Sequence, residues 1–319
     1  MNLLEILNKS EITKEEVFFL LNLEEKEDLL ILFEKSRAIK ELYLGRFKNK
    51  IASIQFSNYC ENNCLYCELR EDNISTERFR LSPDEILVKI KEIISNDITN
   101  IVLQSGSDNY YDTDMISYLI YKIKKDHDIQ ITLHLLQRGF DEYRAWKFAG
   151  ADNYLLKFNS SNKENFSFFN KSNKLDDRIN ILKYLKRLGY KICTGNIVGL
   201  PNQTHEDLVN DLLLLKSIEP EMIFNTPFVP HFYSKFQNVA KVEIPLMLKI
   251  IAITRILLKK SDIIISDSID FFDRNEKKQL FDVGANMLLL EIVGNSEIKL
   301  KNNNNSKTKT SSAKDKIAN

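Results

Sequence analysis

Charge of one sign is not in excess in this sequence. Lys plus Arg and Asp plus Glu each number 45 in 319 residues, so no sustained field points to nucleic acid or to acidic partners. Long apolar runs are missing from the N-terminal stretch MNLLEILNKSEITKEE. Neither a secretory signal nor a membrane span is expected there, and a soluble cytoplasmic protein is the default. Cysteine is scarce as well: four in so long a chain form no disulfide framework, and clustered cysteines in a reducing compartment more often bind metal or do redox chemistry. Glycine occurs nine times only, which makes each placement informative.

The length allows one large barrel or two ordinary domains. Residues 10 to 45 read as helices, opened by a capping box at Thr13 to Glu16. Eight short apolar runs follow, near residues 51, 100, 129, 153, 191, 221, 262 and 286, with helical patterns between them. Ser82, Pro83 and Glu85 mark one helix start, Thr204 and Asp207 another. Gly150, Gly189 and Gly284 each fall between a helix and the next strand, where a left-handed cap favours glycine. This alternation predicts an α/β fold, a (β/α)8 TIM-like barrel, with an open doubly wound sheet as the alternative. The expected organisation is a helical segment over 1–45, the barrel over 46–293, and a polar tail over 294–319 that lacks the apolar surface to order itself.

The chemistry concentrates in CENNCLYC. Cys60, Cys64 and Cys67 directly follow the first strand, at the end of a barrel that carries function. A zinc site would have to recruit a fourth ligand from His127, His134, His205, His231 or Cys193. A redox pair at Cys64 and Cys67 is a second reading. Three soft thiolates on one loop suit an iron–sulfur cluster, whose unclaimed iron stays open to a substrate or cofactor. Gly106, Gly195 and Gly199 lie at later strand ends, where a missing side chain lets a ligand approach the backbone. Cys193, inside the fifth strand, reads as a small buried hydrophobe.

The Cys-x3-Cys-x2-Cys spacing, with Tyr66 before the last cysteine, resembles the signature of the radical S-adenosylmethionine (SAM) superfamily. ERFRLSPDEI, AGADNYLLK, TGNIVGLPNQTHEDLVNDLLLLK, TPFVPH and VGANMLLLEI are similar to the HydE family of [FeFe]-hydrogenase maturases, which is allied to biotin synthase and methylornithine synthase. The resemblance implies a radical SAM enzyme. Three cysteines would hold a [4Fe-4S] cluster, SAM would chelate the open iron, and a 5'-deoxyadenosyl radical would attack a small sulfur- or amino-acid-derived substrate. It further implies a flavodoxin or ferredoxin as electron donor and other hydrogenase maturases as partners. Carried over residue by residue, Arg178 matches the arginine that meets the SAM carboxylate. Asn196, Ile197 and Gly199 match the strand segment lying against adenine.

Departures from the family pattern are also legible. Ser107 follows Gly106 where the family has an acid for the SAM amino group, and the adjacent Asp108 is a candidate substitute. Gln137 stands where an acid is common. Lys157, Phe158 and Asn159 replace an arginine, a histidine and a glutamate. The polar stretch at Ser266, Asp267 and Ser268 replaces a threonine-rich one. Three functions therefore stay open: HydE-like maturation, a divergent relative with another small substrate, and a cluster protein that no longer cleaves SAM.

Overall fold

The computed structural model describes residues 1–45, 49–230, 234–267 and 272–296. His231, Ser268 and the tail beyond residue 296 lie outside them. Three helices lead in: α1 (Leu3–Asn8), α2 (Lys14–Leu21) and α3 (Lys26–Leu44). The repeating part then runs β1 (Asn49–Gln55), α4 (Pro83–Ile94), β2 (Asn100–Gln104), α5 (Thr113–Asp126), β3 (Gln130–His134), α6 (Phe140–Ala149) and β4 (Asn153–Leu155). It continues through α7 (Lys163–Phe169), α8 (Leu175–Arg187), β5 (Lys191–Thr194), β6 (Ile197–Val198), α9 (His205–Ile218), β7 (Met222–Ile223) and β8 (Thr226–Pro227). Last come α10 (Ile244–Leu257), β9 (Asp262–Ser266), α11 (Arg274–Val283) and β10 (Met287–Val293).

The eight expected strands close into a barrel in the order β1-β10-β9-β7-β5-β4-β3-β2, every pair parallel. Two short strands were not foreseen: β6 and β8 pair with each other above the barrel rim. The capping boxes at Thr13, Ser82 and Thr204 are all formed. Among the described residues no helix is long and apolar enough to cross a membrane.

Because strand side chains alternate, one set of residues faces the helices and the other fills the lumen. Ile51, Val102, Leu155, Cys193, Met222, Ile264 and Leu289 make a buried apolar layer inside the barrel. Cys193 has the packing role expected of it. The next inward positions are polar: Ser53, Gln104, His134, Lys157, Ser266 and Glu291. Ser53 bonds Gln104 at 2.9 Å and Ser266 bonds Glu291 at 3.2 Å. A dry floor thus lies under a polar ring.

The leading helices join this body rather than standing apart. Leu20, Leu32 and Ile39 share one apolar cluster with α9, α10 and α11. Ser36, Arg37 and Lys40 donate to the carbonyls of Val283, Asp282 and Phe281, groups that a helix end leaves without partners.

Gly150 and Gly189 have the expected left-handed backbone, φ +114° and +83°. Gly284 does not: its φ of 164° is extended, and glycine is needed there because a Cβ would lie 2.9 Å from Ser36 Oγ and 3.1 Å from Arg255 Cβ. Gly195 shows the same logic at the rim, since a Cβ would sit 2.0 Å from the Phe224 carbonyl oxygen. Close passage of two barrel strands, not ligand approach, fixes that residue. Gly195→Ala is accordingly expected to lower unfolding free energy by about 3 kcal/mol or more, read as the urea midpoint; a midpoint equal to wild type would contradict the packing described.

Candidate active site

The loop that follows β1 carries the cysteines, and its shape is set by bonds from outside the motif. Ser57 bridges Arg80 in antiparallel fashion. Asn58 Oδ1 accepts the Phe79 N–H at 2.8 Å, and its Nδ2 donates to the Glu77 carbonyl at 2.7 Å. Arg78 does most of the gathering: its guanidinium donates to the carbonyls of Asn58, Leu69, Arg70 and Asn73. Glu61 N–H and Leu65 N–H reach across to the Ser107 and Phe169 carbonyls, both at 3.0 Å. The loop then lies directly on Gly106, where a Cβ would be 2.1 Å from the Tyr59 oxygen and 2.7 Å from Cys60 Cβ. Room for the chain's own loop, rather than for a ligand, explains this glycine.

Cys60, Cys64 and Cys67 line one cavity at the C-terminal end of the barrel, with Tyr66, Gly106, Asn159 and Arg178 in its wall. A larger cavity of about 710 Å³ opens at the opposite mouth, among strand starts such as Asn49, Asn100 and Lys191. In this architecture chemistry belongs to the C-terminal face, so the smaller cavity is the candidate site. His134 and Lys157, from the polar ring, also face into it.

Not every residue singled out from the sequence reaches the cavity. Asp108, the proposed substitute acid, is 2% exposed. It is gripped by Arg80 Nε and Nη2, each at 2.8 Å, and by Ser57 Oγ at 2.6 Å. Burial opposes its ionisation, yet Arg80 and Ser57 outweigh that and hold the carboxyl below its usual range. Such a group is committed to the loop and is not available to an ammonium. Ser107 turns its N–H to Cys60 Sγ at 3.4 Å. Gln137 stands behind the wall, accepting from Arg178 Nη2 at 3.1 Å.

Asn196 is fully buried behind the rim: its Nδ2 donates to Asp211 at 3.0 Å and its Oδ1 accepts from Asn225 at 2.8 Å. Ile197 belongs to a small apolar cluster with Phe169 and Leu200, and Gly199 packs on Val242. These three support the rim and are not among the residues lining the cavity. Asn159 does line it, with a left-handed backbone (φ 65°) that asparagine tolerates; its Nδ2 donates to Tyr66 Oη at 2.7 Å.

The electrostatics of the wall are one-sided. Among the described residues its lining contains Lys157 and Arg178 but no Asp or Glu. Burial pushes the Lys157 ammonium down, while Cys67 and Glu291 help hold its proton. The His134 imidazole is driven down to about 3, first by burial and then by the charges of Lys157 and Arg178, so it is neutral at physiological pH. Two buried nitrogens in the wall, His134 Nδ1 and Arg178 Nε, have no hydrogen-bond partner. A buried polar atom left without a partner in this way is costly unless a ligand completes it. Burial also raises the thiols, Cys67 to about 12 and Cys64 in the same direction.

Among the described residues no three His, Cys, Asp or Glu side chains stand together as ligands of a single ion. A tetrahedral zinc centre needs that convergence. Three thiols distributed round one cavity suit a cluster, in which each sulfur takes a different iron.

The sequence model of the radical SAM superfamily matches residues 54–215. Over 287 residues the chain is 37% identical to the [FeFe] hydrogenase maturase subunit HydE of Thermotoga maritima, spanning 90% of this chain and 82% of that one. The chain belongs to the radical SAM superfamily, in its HydE family. Radical SAM enzymes use a [4Fe-4S] cluster and SAM, and both are cofactors of this chain. It is also 25% identical to 3-methylornithine synthase of Methanosarcina acetivorans, over 92% of this chain and 83% of that one. The crystal structure of a methylornithine synthase shares the fold at a TM-score of 0.83 and 22% identity, over 90% of this chain and 85% of that one.

As a radical SAM protein the chain keeps the cysteine motif; Arg78 escaped the sequence reading, and His134 entered it only as a candidate zinc ligand. Arg78 could have been suspected from ERFRLSP beside the motif. His134 follows from the alternation of IQITLHL, which turns it inward with Thr132.

Two expectations follow. Arg78→Ala strands buried carbonyls at about 1–3 kcal/mol each; iron bound after anaerobic reconstitution should fall severalfold, and wild-type iron content would remove Arg78 from this role. Burial pushes Asp211 up to about 6 against donors from Ser161, Asn196 and Gln203. A carboxyl raised in the folded state contributes stability below the unfolded value near 4 that is lost as pH rises through 6, on the order of 3 kcal/mol. The unfolding free energy of Asp211→Asn relative to wild type should therefore improve by that amount from pH 4 to pH 7. An unchanging difference would show that Asp211 is ionised throughout.

Proposed function

We propose that Cys60, Cys64 and Cys67 hold the [4Fe-4S] cluster, that SAM occupies the adjoining cavity, and that the enzyme acts in HydE-like maturation of the [FeFe]-hydrogenase active site. The observation that carries the reading is the meeting of three thiols and two unpartnered nitrogens in one cavity at the C-terminal barrel face. When bound, the cluster and SAM supply the electron and the 5'-deoxyadenosyl radical.

The chain supplies placement. Arg178 donates to the Lys157 carbonyl at 2.9 Å and to Gln137 at 3.1 Å. Those bonds aim the rest of its guanidinium at the cavity, where the SAM carboxylate fits. The cationic wall suits the negative charge of a thiolate-ligated cluster. Among the described lining residues there is no carboxylate for the SAM ammonium, so backbone carbonyls would carry more of its binding. Beneath, the polar ring receives the substrate: neutral His134 on β3 and cationic Lys157 just beyond β4 look across the lumen to Glu291 on β10. A reduced flavodoxin or ferredoxin in the cytoplasm is the electron donor in this reading, and other hydrogenase maturases are partners.

The lack of an acid among the described lining residues favours one competing reading, a cluster protein that no longer cleaves SAM. Anaerobic reconstitution with iron and sulfide, reduction and addition of SAM separates the two. The expected outcome is 5'-deoxyadenosine from wild type and at least a hundredfold less from Cys60→Ala. A loaded cluster that yields none, with an electron paramagnetic resonance signal indifferent to SAM, would establish the non-cleaving alternative.

A further inference from the structure

The polar ring above the apolar floor differs from one side of the lumen to the other. In the closed strand order β10 stands half-way round the barrel from β4, and β9 half-way round from β3, so each pair faces across the lumen. The inward groups on the first side are Gln104 on β2, His134 on β3 and Lys157 just beyond β4; on the other they are Ser266 on β9 and Glu291 on β10.

The first side offers donors. Gln104 Oε1 is occupied by Ser53 Oγ at 2.9 Å, which leaves the amide nitrogen as its group to give. His134 is the direct strand partner of Gln104, and its buried Nδ1 has no hydrogen-bond partner. Among the described residues the Lys157 ammonium makes a single, long hydrogen bond, to Thr226 Oγ1 at 3.4 Å, and an ammonium has three hydrogens to donate. All three residues line the cavity that holds the cysteines.

Opposite them Glu291 supplies an acid. Its Oε1 accepts from Ser266 Oγ at 3.2 Å, and a carboxylate accepts several donors at once, so a further one can be added. The Glu291 charge reaches Lys157, where it helps hold the ammonium proton. Yet the two do not meet, since Lys157 turns to Thr226 instead. A cation and an anion held apart across a walled lumen make a fixed dipole. The ligand that completes it carries both charges in the reverse order. A simple anion would suit Lys157 and be repelled by Glu291, while a simple cation would suit Glu291 and be repelled by Lys157.

We propose that the polar ring is a receptor for a zwitterionic amino acid, whose carboxylate is taken by Lys157, Gln104 and His134 and whose ammonium is taken by Glu291. The inference rests on the reading that substrate enters the ring below SAM, and it narrows that substrate to a molecule with both charges free. Lys157 and Glu291 then fix its orientation as well as its class, because exchanging the two ends would set like charges together.

The test uses full-length protein, reconstituted anaerobically, left oxidised and saturated with SAM so that nothing turns over. Isothermal titration calorimetry with each proteinogenic amino acid finds the tightest, which is then compared with the acid lacking its amino group and the amine lacking its carboxylate. Each analogue should bind about tenfold more weakly, the loss of one hydrogen bond between charged groups. Glu291→Gln should erase the preference over the deaminated acid and keep that over the amine; Lys157→Gln should do the reverse. Circular dichroism and iron content report whether the variants fold and load. If they do not, wild type decides: an analogue that binds as tightly as its amino acid, or no amino acid bound at all, overturns the proposal. Loaded variants that keep both preferences at wild-type values overturn it too, leaving the cluster and SAM assignments untouched. A wild-type chain that takes up neither cluster nor SAM refutes the reading on which the proposal rests.

Discussion

Strand alternation is the constraint on which the rest of this molecule depends. Eight parallel strands must bury one face against helices and the other against each other, and the lumen is narrow enough to be filled by side chains. One apolar layer supplies the cohesion. One step higher along each strand the same alternation delivers polar groups to a space that is already walled and floored. The site is thus a continuation of the core by another residue type, and the stability of the layer below fixes the positions of His134, Lys157 and Glu291 above.

Over this base the cysteine loop is held by main-chain bonds more than by packing. Arg78, Asn58 and the bridge at Ser57 satisfy its carbonyls and amides from one side, and Gly106 lets it descend onto β2 from the other. Asp108 belongs to this apparatus: with Arg80 clamped bidentately on it, and Arg80 lying 3.8 Å from the Tyr59 ring centroid, it anchors the loop's exit. The wall that results is cationic, a setting suited to a cluster and to a carboxylate and poor for an ammonium.

Much of this was legible in the sequence because it is periodic or local. The strands declare themselves by apolar runs, the helix starts by capping boxes within four residues, and the cysteines by spacing. What was not legible depends on residues that meet only in space. Asn170 reaches Cys64 across 106 positions, and nothing in its neighbours marks it. Asp108 was offered to the ligand on adjacency alone, but Arg80 approaches from a different part of the chain. The glycines at 106 and 195 were read as places where a ligand approaches the backbone, yet what approaches is the chain's own backbone. Sequence shows that a side chain must be missing there, while only the fold shows what takes its place.

The bonds from Arg78 to carbonyls between residues 58 and 73 bear on how the thiols meet iron. Ordering a flexible segment costs about 1–2 kcal/mol per residue, and in many small metal sites the metal must offset that cost as it binds. Here the loop's ordering is already covered by contacts independent of sulfur. Iron therefore finds three thiols confined to one small volume at high effective concentration, and its binding energy is free to displace their protons.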